Sequence, residues 1–242
     1  CNRLELNTKK TKYVLFRPRN KAITSEPTIK FEGQKIERVT AHKFLGILFQ
    51  EHLDWSLHTN HVRTKISRST GIICKLRQLL PLWLKKQLYY SIVHSHLHYC
   101  LLVWGNTTKA NTDKIHTLQK KAIRLISGVS FRHHTAPLFK EHKILTVTNV
   151  MKQKLAMLIY KQVRTDRSGF YQRHLPRDHS HNLRHRVYTY EKPRTNYGTQ
   201  KLLYQISHFL NEQPIVASLI DNTVSYGIFK KKIQEHFLST QT

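Results

Sequence analysis

The stretch LHTNHVRTKISRSTGIICKLRQLL, residues 57–80, decides the fold class of this 242-residue chain. Its apolar residues recur at helical spacing, at Val62, Ile66, Ile73, Leu76 and Leu80. Polar and basic residues stand between them, so the stretch predicts an amphipathic helix. Pro81 lacks a backbone N–H and clashes with the preceding turn, so we expect this helix to end or bend there.

The same periodicity continues toward the C-terminus and predicts that most of the chain is helical. We expect helices over 84–103, 110–127, 147–163, 200–211 and 225–238, and a short helix and turn over 135–145. Gly128 directly follows the 110–127 segment, at a position where a helix-ending glycine is common.

The residues ahead of this helical region predict strands. TKYVLFR (11–17) is rich in β-branched and aromatic residues, and KFLGILF (43–49) is a short apolar run, so each predicts a strand. TIKFEGQKIERV (28–39) alternates apolar and polar residues around Glu32 and Gly33, which predicts a hairpin. The predicted fold class is therefore α+β, mostly α, with a short antiparallel β portion followed by helices.

The charge balance indicates an anionic partner. The chain holds 41 Lys and Arg against 14 Asp and Glu, a formal net charge of +27. Self-repulsion at this charge opposes compaction, so nucleic acid is the expected partner. A basic protein with no particular partner is the alternative.

Cysteine usage and hydropathy limit the class of protein further. The three cysteines, Cys1, Cys74 and Cys100, are an odd number without CxxC spacing. This usage argues against a disulfide framework or a zinc finger and fits an intracellular compartment, so we expect the nucleus or the cytoplasm. No apolar run approaches the roughly 20 residues of a membrane helix, and we expect no membrane partner.

The acidic residues do not form a recognisable catalytic centre. Two-metal phosphoryl transfer needs carboxylates within one site, because the ions sit about 4 Å apart. The aspartates are scattered, and a surface or helix-capping role explains the closest acidic pair, Glu51 and Asp54, better. HSHLHYC (94–100) offers His and Cys, but a helix there places them only in pairs on a common face. We therefore predict no metal site.

Basic residues cluster on three of the predicted helices. Successive helices with basic faces form a groove that follows a phosphate backbone, and separate solvated faces are the alternative. The candidate nucleic-acid-binding residues are Arg63, Lys65, Arg68, Lys75, Arg77, Lys85, Lys86, Lys114, Lys120, Lys121 and Arg124.

Several motifs occur in order along the chain. They are LNTKKTKYVLF (6–16), KFLGILFQEHLDWSLH (43–58), KISRSTGIICKLR (65–77), LYYSIVHSHLHYCLLVWGN (88–106), LQKKAIRLISG (118–128), LFKEHKIL (138–145), HSHNLRH (179–185) and TNYG (195–198). With this ordered set, the chain resembles the C-terminal part of LINE-type (non-LTR) retrotransposon reverse transcriptases. The resemblance covers essentially the whole chain, and the set is more specific than any one motif.

The resemblance implies roles for individual residues. Lys10, within LNTKKT, matches a lysine near the incoming nucleotide that assists the leaving pyrophosphate. Phe44, Leu45 and Gly46 match the primer grip, a turn between strands that presses on the primer end. The helices from about 57 to 127 match the thumb, which holds an RNA template and a DNA primer by their phosphates.

The resemblance also implies what the chain lacks. The family's catalytic aspartates lie upstream of LNTKKT, and none of them is present here. We therefore expect the chain alone to bind a template–primer duplex without polymerising. We expect it to use no cofactor and no small-molecule substrate. We expect polymerisation to require a missing N-terminal polymerase portion, and Mg²⁺ to bind only in the complete enzyme. Because the sequence starts at Cys1 and not at Met, we expect an internal start.

The implied layout has five parts. They are the end of the palm with a primer-grip-like hairpin (1–54), a helical thumb (55–130), a helical connection (131–165), a basic linker (166–200) and a C-terminal helical segment (201–242). There are two alternatives to a part of an enzyme. One is a non-catalytic RNA- or DNA-binding module derived from a retrotransposon, and the other is the product of a decayed element without a selected role.

Overall fold

Short strands precede the helices in the computed structural model, which describes residues 7–8, 10–21, 25, 27–165, 188, 193–195 and 197–241. The strands are β1 (Lys12–Tyr13), β2 (Lys30–Phe31), β3 (Gln34–Lys35), β4 (Glu37–Arg38), β5 (Ala41–Phe44) and β6 (Ile47–Gln50). Most of the predicted linker 166–200, together with HSHNLRH (179–185) and Cys1, lies outside the described residues.

The strands form three pairs, and one pairing differs from the expectation. The predicted hairpin over 28–39 is confirmed, because β2 pairs with β3 in the antiparallel sense. The expectation of a wholly antiparallel β portion is wrong, because β1 pairs with β4 in the parallel sense. The β2–β3 hairpin reverses the chain once, so a second reversal between β1 and β4 is needed for the two strands to run in the same direction. A salt bridge of 2.8 Å between Lys12 and Glu37 joins the two strands.

The apolar run 43–49 is not one strand, because it contains the turn of a second hairpin at the position where the resemblance implies a turn between strands. β5 pairs with β6 in the antiparallel sense, and Phe44 lies opposite Ile47. Leu45 and Gly46 form the two-residue connection, with φ of 46° and 82°. Positive φ at both positions is the requirement of a type I′ turn, which matches the twist of the flanking strands. The apolar residue at the first turn position is unusual for this turn type, so the residue pattern alone did not indicate the turn, whereas the resemblance did.

The rest of the described chain is mostly helical, which confirms the α+β, mostly α fold class. The helices are α1 (Ser56–Leu76), α2 (Leu82–Leu88), α3 (Ser95–His98), α4 (Leu101–Trp104), α5 (Lys109–Ser127), α6 (Ala136–Glu141), α7 (Val147–Thr165), α8 (Leu202–Glu212), α9 (Pro214–Asn222) and α10 (Tyr226–Thr240). Gly128 has φ of 71° and caps α5, as predicted.

Two helix predictions need correction. The helix expected over 84–103 is interrupted by a π-helical segment (Tyr89–His94) and then ends at His98, because Tyr99 is extended and Cys100 is left-handed. The helix α9 was not predicted. Pro214 occupies its first turn, where a residue without a backbone N–H is tolerated, and the expected helices 200–211 and 225–238 left this segment between them.

One apolar core joins these helices. Buried side chains form a single cluster that runs from Ile47 in β6 to Phe237 in α10. Helix α1 packs along α5, and α7 packs against both α5 and α10. Burial of this apolar surface is the main driving force for the fold. None of the helices in the described part of the chain is long and apolar enough to cross a membrane.

Candidate nucleic-acid interface

An open groove lies between α1 and α5, the helices that carry most of the basic residues singled out in the sequence. Its volume is about 510 Å³. The residues that line this α1–α5 groove are Arg63, Thr64, Ser67, Arg68, Lys114, Thr117 and Leu118. The fold thereby brings Arg63, Arg68 and Lys114 together from two separate helices.

The groove follows from the way each helix divides into a buried and an outward face. On α1, Val62 and Ile66 are buried, and the neighbouring positions of the helix face outward. The short side chains of Thr64 and Thr117 leave space between the helices. Each threonine donates its hydroxyl to a carbonyl oxygen of its own helix, at 3.0 and 2.8 Å. The threonines therefore shape the groove, while the cations supply its charge.

The charge of the groove has one sign. Among the residues that the structure describes, no carboxylate lines the groove, and its charged members are Arg63, Arg68 and Lys114. Cations held beside one another without a counter-charge repel, and a bound anion relieves that repulsion. A guanidinium also offers several N–H donors in a fixed plane, which suits phosphate oxygens. The chemistry of the groove lining therefore suits phosphate oxygens.

The other predicted basic residues do not line this groove. Lys75 and Lys121 are exposed, and each lies seven residues after a groove cation, so both extend the cationic faces. Arg124 donates to the carbonyl oxygen of His133 at 2.8 Å, which gives it a structural contact. The remaining candidates outside the lining are Lys65, Arg77, Lys85, Lys86 and Lys120.

The hairpin tip, formed by Phe44, Leu45 and Gly46, is a second exposed feature. Phe44 and Leu45 are 60% and 74% exposed, although both are large apolar residues. The phenol of Tyr99 donates to the carbonyl oxygen of Leu45 at 2.6 Å. This role of Tyr99 could not be predicted, because nothing in the neighbouring sequence indicates a partner that lies 54 residues earlier.

Lys10 lies in the turn before β1, away from the groove lining. Its side chain is exposed, and its backbone N–H donates to the carbonyl oxygen of Asn7 at 3.1 Å. The asparagine side chain accepts from the same N–H at 3.2 Å. The role of Lys10 beside a nucleotide stays a prediction.

The acidic pair Glu51 and Asp54 has structural contacts, which confirms the surface or capping interpretation. The Asp54 carboxylate precedes the N-cap residue Trp55 and accepts from the backbone N–H of Ser56, the first residue of α1, at 2.9 Å. Burial raises the pKa of Asp54, but hydrogen bonds from Ser56 and the ion pair with Arg19 outweigh it, so the pKa lies below its usual value. Glu51 pairs with Arg17 and Arg38 at 3.2 and 3.1 Å.

The histidines of HSHLHYC (94–100) face different parts of the molecule. The rings of His94 and His98 lie 5.3 Å apart, as expected for residues four apart on one helical face. Burial, the neighbouring His98 and Lys154 lower the pKa of His94 to about 4. Burial and Lys65 lower the pKa of His96, which places it toward α1. The described residues include no group of three or more potential ligands arranged to hold a metal ion.

Comparison with known proteins places this chain beside one class of enzyme. No family model matches the chain, and no solved structure matches it. The curated proteins that match are RNA-directed DNA polymerases of mobile elements, and the homologues of the chain are those of Drosophila non-LTR elements. This finding confirms the resemblance inferred from the ordered motifs.

The individual relatives come from two such elements. The chain is 32% identical over 145 residues to the RNA-directed DNA polymerase from mobile element jockey of Drosophila melanogaster, which is 58% of this chain and 15% of that relative. It is 25% identical over 145 residues to the probable polymerase from transposon X-element of the same species, over 59% of this chain and 16% of the relative. The chain thus spans about one sixth of the length of these relatives.

Proposed function

We propose that this chain is the C-terminal part of a non-LTR retrotransposon reverse transcriptase, and that it grips a template–primer duplex. The α1–α5 groove supports this proposal most directly. In the proposal, the groove holds the duplex by its phosphates, and the hairpin tip contacts a strand end. The chain contributes no catalytic aspartate and no cofactor of its own. An N-terminal polymerase portion would supply the Mg²⁺-binding carboxylates, in the nucleus or the cytoplasm.

The physical basis is the uniform charge of the groove. Arg63, Arg68 and Lys114 converge without a carboxylate among the groove-lining residues of the described chain. Neutralising phosphates with such side chains releases condensed counterions, so binding is strong at low salt and independent of sequence. Lys75 and Lys121 extend the cationic faces beyond the groove itself. A grip on the sugar–phosphate backbone is therefore the expected mode of contact.

The first prediction is that removing the groove cations reduces both affinity and salt dependence. The test variant is Arg63→Ala, Arg68→Ala, Lys114→Ala. If three phosphate contacts are lost, the slope of log K against log salt becomes shallower by about 2 to 3, and affinity at 0.1 M salt falls by roughly 100-fold. Fluorescence anisotropy with a labelled RNA–DNA hybrid over a salt series measures both quantities.

The matched control removes the same charge elsewhere. Lys230, Lys231 and Lys232 are exposed on α10 and do not line the groove. We expect the variant with alanine at these three positions to keep the slope of log K against log salt within about 1 of the value for the unmodified chain, which corresponds to one phosphate contact. If both triple variants bind equally well, the net charge drives binding and the groove model is wrong.

A further inference from the structure

The hairpin tip displays apolar side chains on a backbone that does not favour them. Type I′ turns favour asparagine or glycine at the first position, because φ is positive there. Leu45 occupies that position with φ of 46° and keeps its side chain in solvent. Phe44 stands beside it, also exposed. A strained residue with a displayed apolar side chain is a reason to look for a ligand at this point.

Tyr99 holds the tip in place through two contacts. Its phenol donates to the carbonyl oxygen of Leu45 at 2.6 Å. Its ring also packs over Gly46, where a Cβ atom would lie 3.4 Å from the ring. Glycine at this position is favoured by the positive φ of 82°, whereas a Cβ atom there would make only an ordinary van der Waals contact with the tyrosine ring.

Tyr99 is itself fixed to the helical core. It lies in the break between α3 and α4, and its carbonyl oxygen accepts from the indole N–H of Trp104 at 2.8 Å. Trp104 is only 1% exposed and belongs to the main core cluster. The side chain of Lys154 in α7 donates to the carbonyl oxygen of His98, one residue earlier. The tip is thus connected to the helical body through Tyr99.

We propose that Tyr99 is a positioning residue that holds the hairpin tip against the exposed terminal base of a nucleic-acid strand. This inference rests on the proposed function and adds to it the residue that fixes the tip relative to the helices. Aromatic and apolar side chains stack on base faces, and a strand end offers such a face. A duplex closed at both ends hides its base faces in the stack. Tyr99 should therefore matter for strand ends and not for phosphate contacts in the groove.

The test compares two RNA–DNA hybrids of equal length. One hybrid has a recessed DNA end on a longer RNA, and the other is closed by a loop at each end. Tyr99→Phe removes the hydrogen bond and keeps the ring, so we expect its affinity for the recessed end to fall by about 3- to 10-fold. Affinity for the closed hybrid should stay within about twofold. A 2-aminopurine at the end of the recessed strand should change its fluorescence when the unmodified chain binds. With Tyr99→Phe, this change should be lost.

Two further variants separate positioning from misfolding. Leu45→Asn suits the turn better and removes the apolar side chain, so it should show the same selective loss without a lower melting temperature. Tyr226→Phe is the matched control, because Tyr226 is exposed on α10 and its ring contacts are kept. We expect Tyr226→Phe to bind both hybrids like the unmodified chain.

The possible outcomes distinguish the two proposals. If folded Tyr99→Phe binds both hybrids normally, or loses affinity for both equally, the positioning role is wrong while the groove model stands. If the unmodified chain binds neither hybrid, or if the groove variant binds both as well as the unmodified chain, the proposed function itself fails.

Discussion

Gln119 of α5 is a buried residue at which three parts of the chain meet. Its amide N–H groups donate to the phenol oxygen of Tyr89 and to the carbonyl oxygen of Leu145, both at 2.8 Å. Its amide oxygen accepts from the backbone N–H of Val147 at 2.9 Å. The side chain is fully buried, so these hydrogen bonds replace water on both sides of the amide. Gln119 thereby fixes the start of α7 and the π-helical segment against α5.

We predict that Gln119→Met destabilises the protein although the volume is nearly conserved. The change leaves a buried carbonyl and a buried N–H without their partner, which costs about 2–4 kcal/mol of unfolding free energy. Gln87→Met on exposed α2 is the control and should change stability by less than about 0.5 kcal/mol. Urea unfolding followed by circular dichroism measures both. Equal stabilities of the two variants would show that this hydrogen-bond cluster does not stabilise the fold.

For single residues, the sequence predicts a structural role only where the interacting residues are close neighbours in the chain. Gly128 was identified because a helix end requires its backbone conformation, and that requirement is visible in the neighbouring residues. The partners of Gln119 lie 26 to 30 residues away, and the partner of Tyr99 lies 54 residues away. Such contacts depend on how the helices pack, so neither residue could be assigned its role from the sequence pattern.

At the scale of elements, helical periodicity located most helices but not their interruptions. The region 84–103 keeps its apolar spacing, and yet it contains the π-helical segment (Tyr89–His94) and a break at Cys100. At the break, the Trp104 indole N–H donates to the Tyr99 carbonyl oxygen, a bond that the apolar spacing does not indicate. The helices α1 and α5 were both located by their apolar periodicity. Which of their cations share a groove depended on the packing of the two helices.

The histidines carried by these elements predict a loss of stability in acid. Burial, with nearby cations, lowers the pKa of His58 and of His94 to about 4. The Nδ1 atom of His58 also accepts from the backbone N–H of Leu48 at 3.3 Å, which requires that atom to be unprotonated. Both rings are therefore neutral in the folded protein at pH 7, whereas in the unfolded chain they titrate near 6.5.

The sign of the pH dependence follows from these values. Between pH 6.5 and about 4 the unfolded chain binds protons that the folded protein does not, so stability falls as the pH falls. We expect a loss of up to roughly 1.4 kcal/mol per pH unit for each ring in this window. Urea unfolding at pH 7, 6 and 5 measures this loss.

The double variant His58→Gln, His94→Gln should make the free energy of unfolding less dependent on pH. The control variant His133→Gln, His134→Gln changes two exposed residues and should leave that dependence unchanged. If the double variant at His58 and His94 keeps the pH dependence of the unmodified chain, these two histidines are not the cause of the loss of stability in acid.

At the scale of the whole molecule, the apolar core crosses the boundaries of the parts suggested by the sequence. The cluster includes Trp55 and Trp104 as well as Phe229, Ile233 and Phe237 of α10. Helical periodicity predicts helices in the thumb, the connection and the C-terminal segment, but it does not say which helix covers which apolar face. That information is long-range, so the continuity of the core could not be predicted.

We predict that a destabilising substitution in α10 also shifts the unfolding transition reported by tryptophans in the other parts of the chain. Phe237 is only 2% exposed, so Phe237→Ala should cost about 3–5 kcal/mol. In a Trp83→Phe background, fluorescence reports mainly the buried Trp55 and Trp104. If the core is one cooperative unit, their transition in urea shifts together with the loss of helix. Ile228→Ala, on the exposed face of α10, should shift neither. If Phe237→Ala leaves the urea midpoint of tryptophan fluorescence unchanged, α10 and the tryptophan-containing parts unfold as independent units.

The strand pairs have a consequence for the behaviour of the protein in solution. Within the described chain each sheet has two strands, so β5 and β6 each keep one edge without a strand partner. Such edges can pair with another copy of the chain. The charge of +27 holds copies apart at low ionic strength, but at 0.1 M salt that repulsion is screened beyond about 10 Å. Added salt therefore acts in opposite senses, releasing polyanions while allowing the protein to adhere to itself.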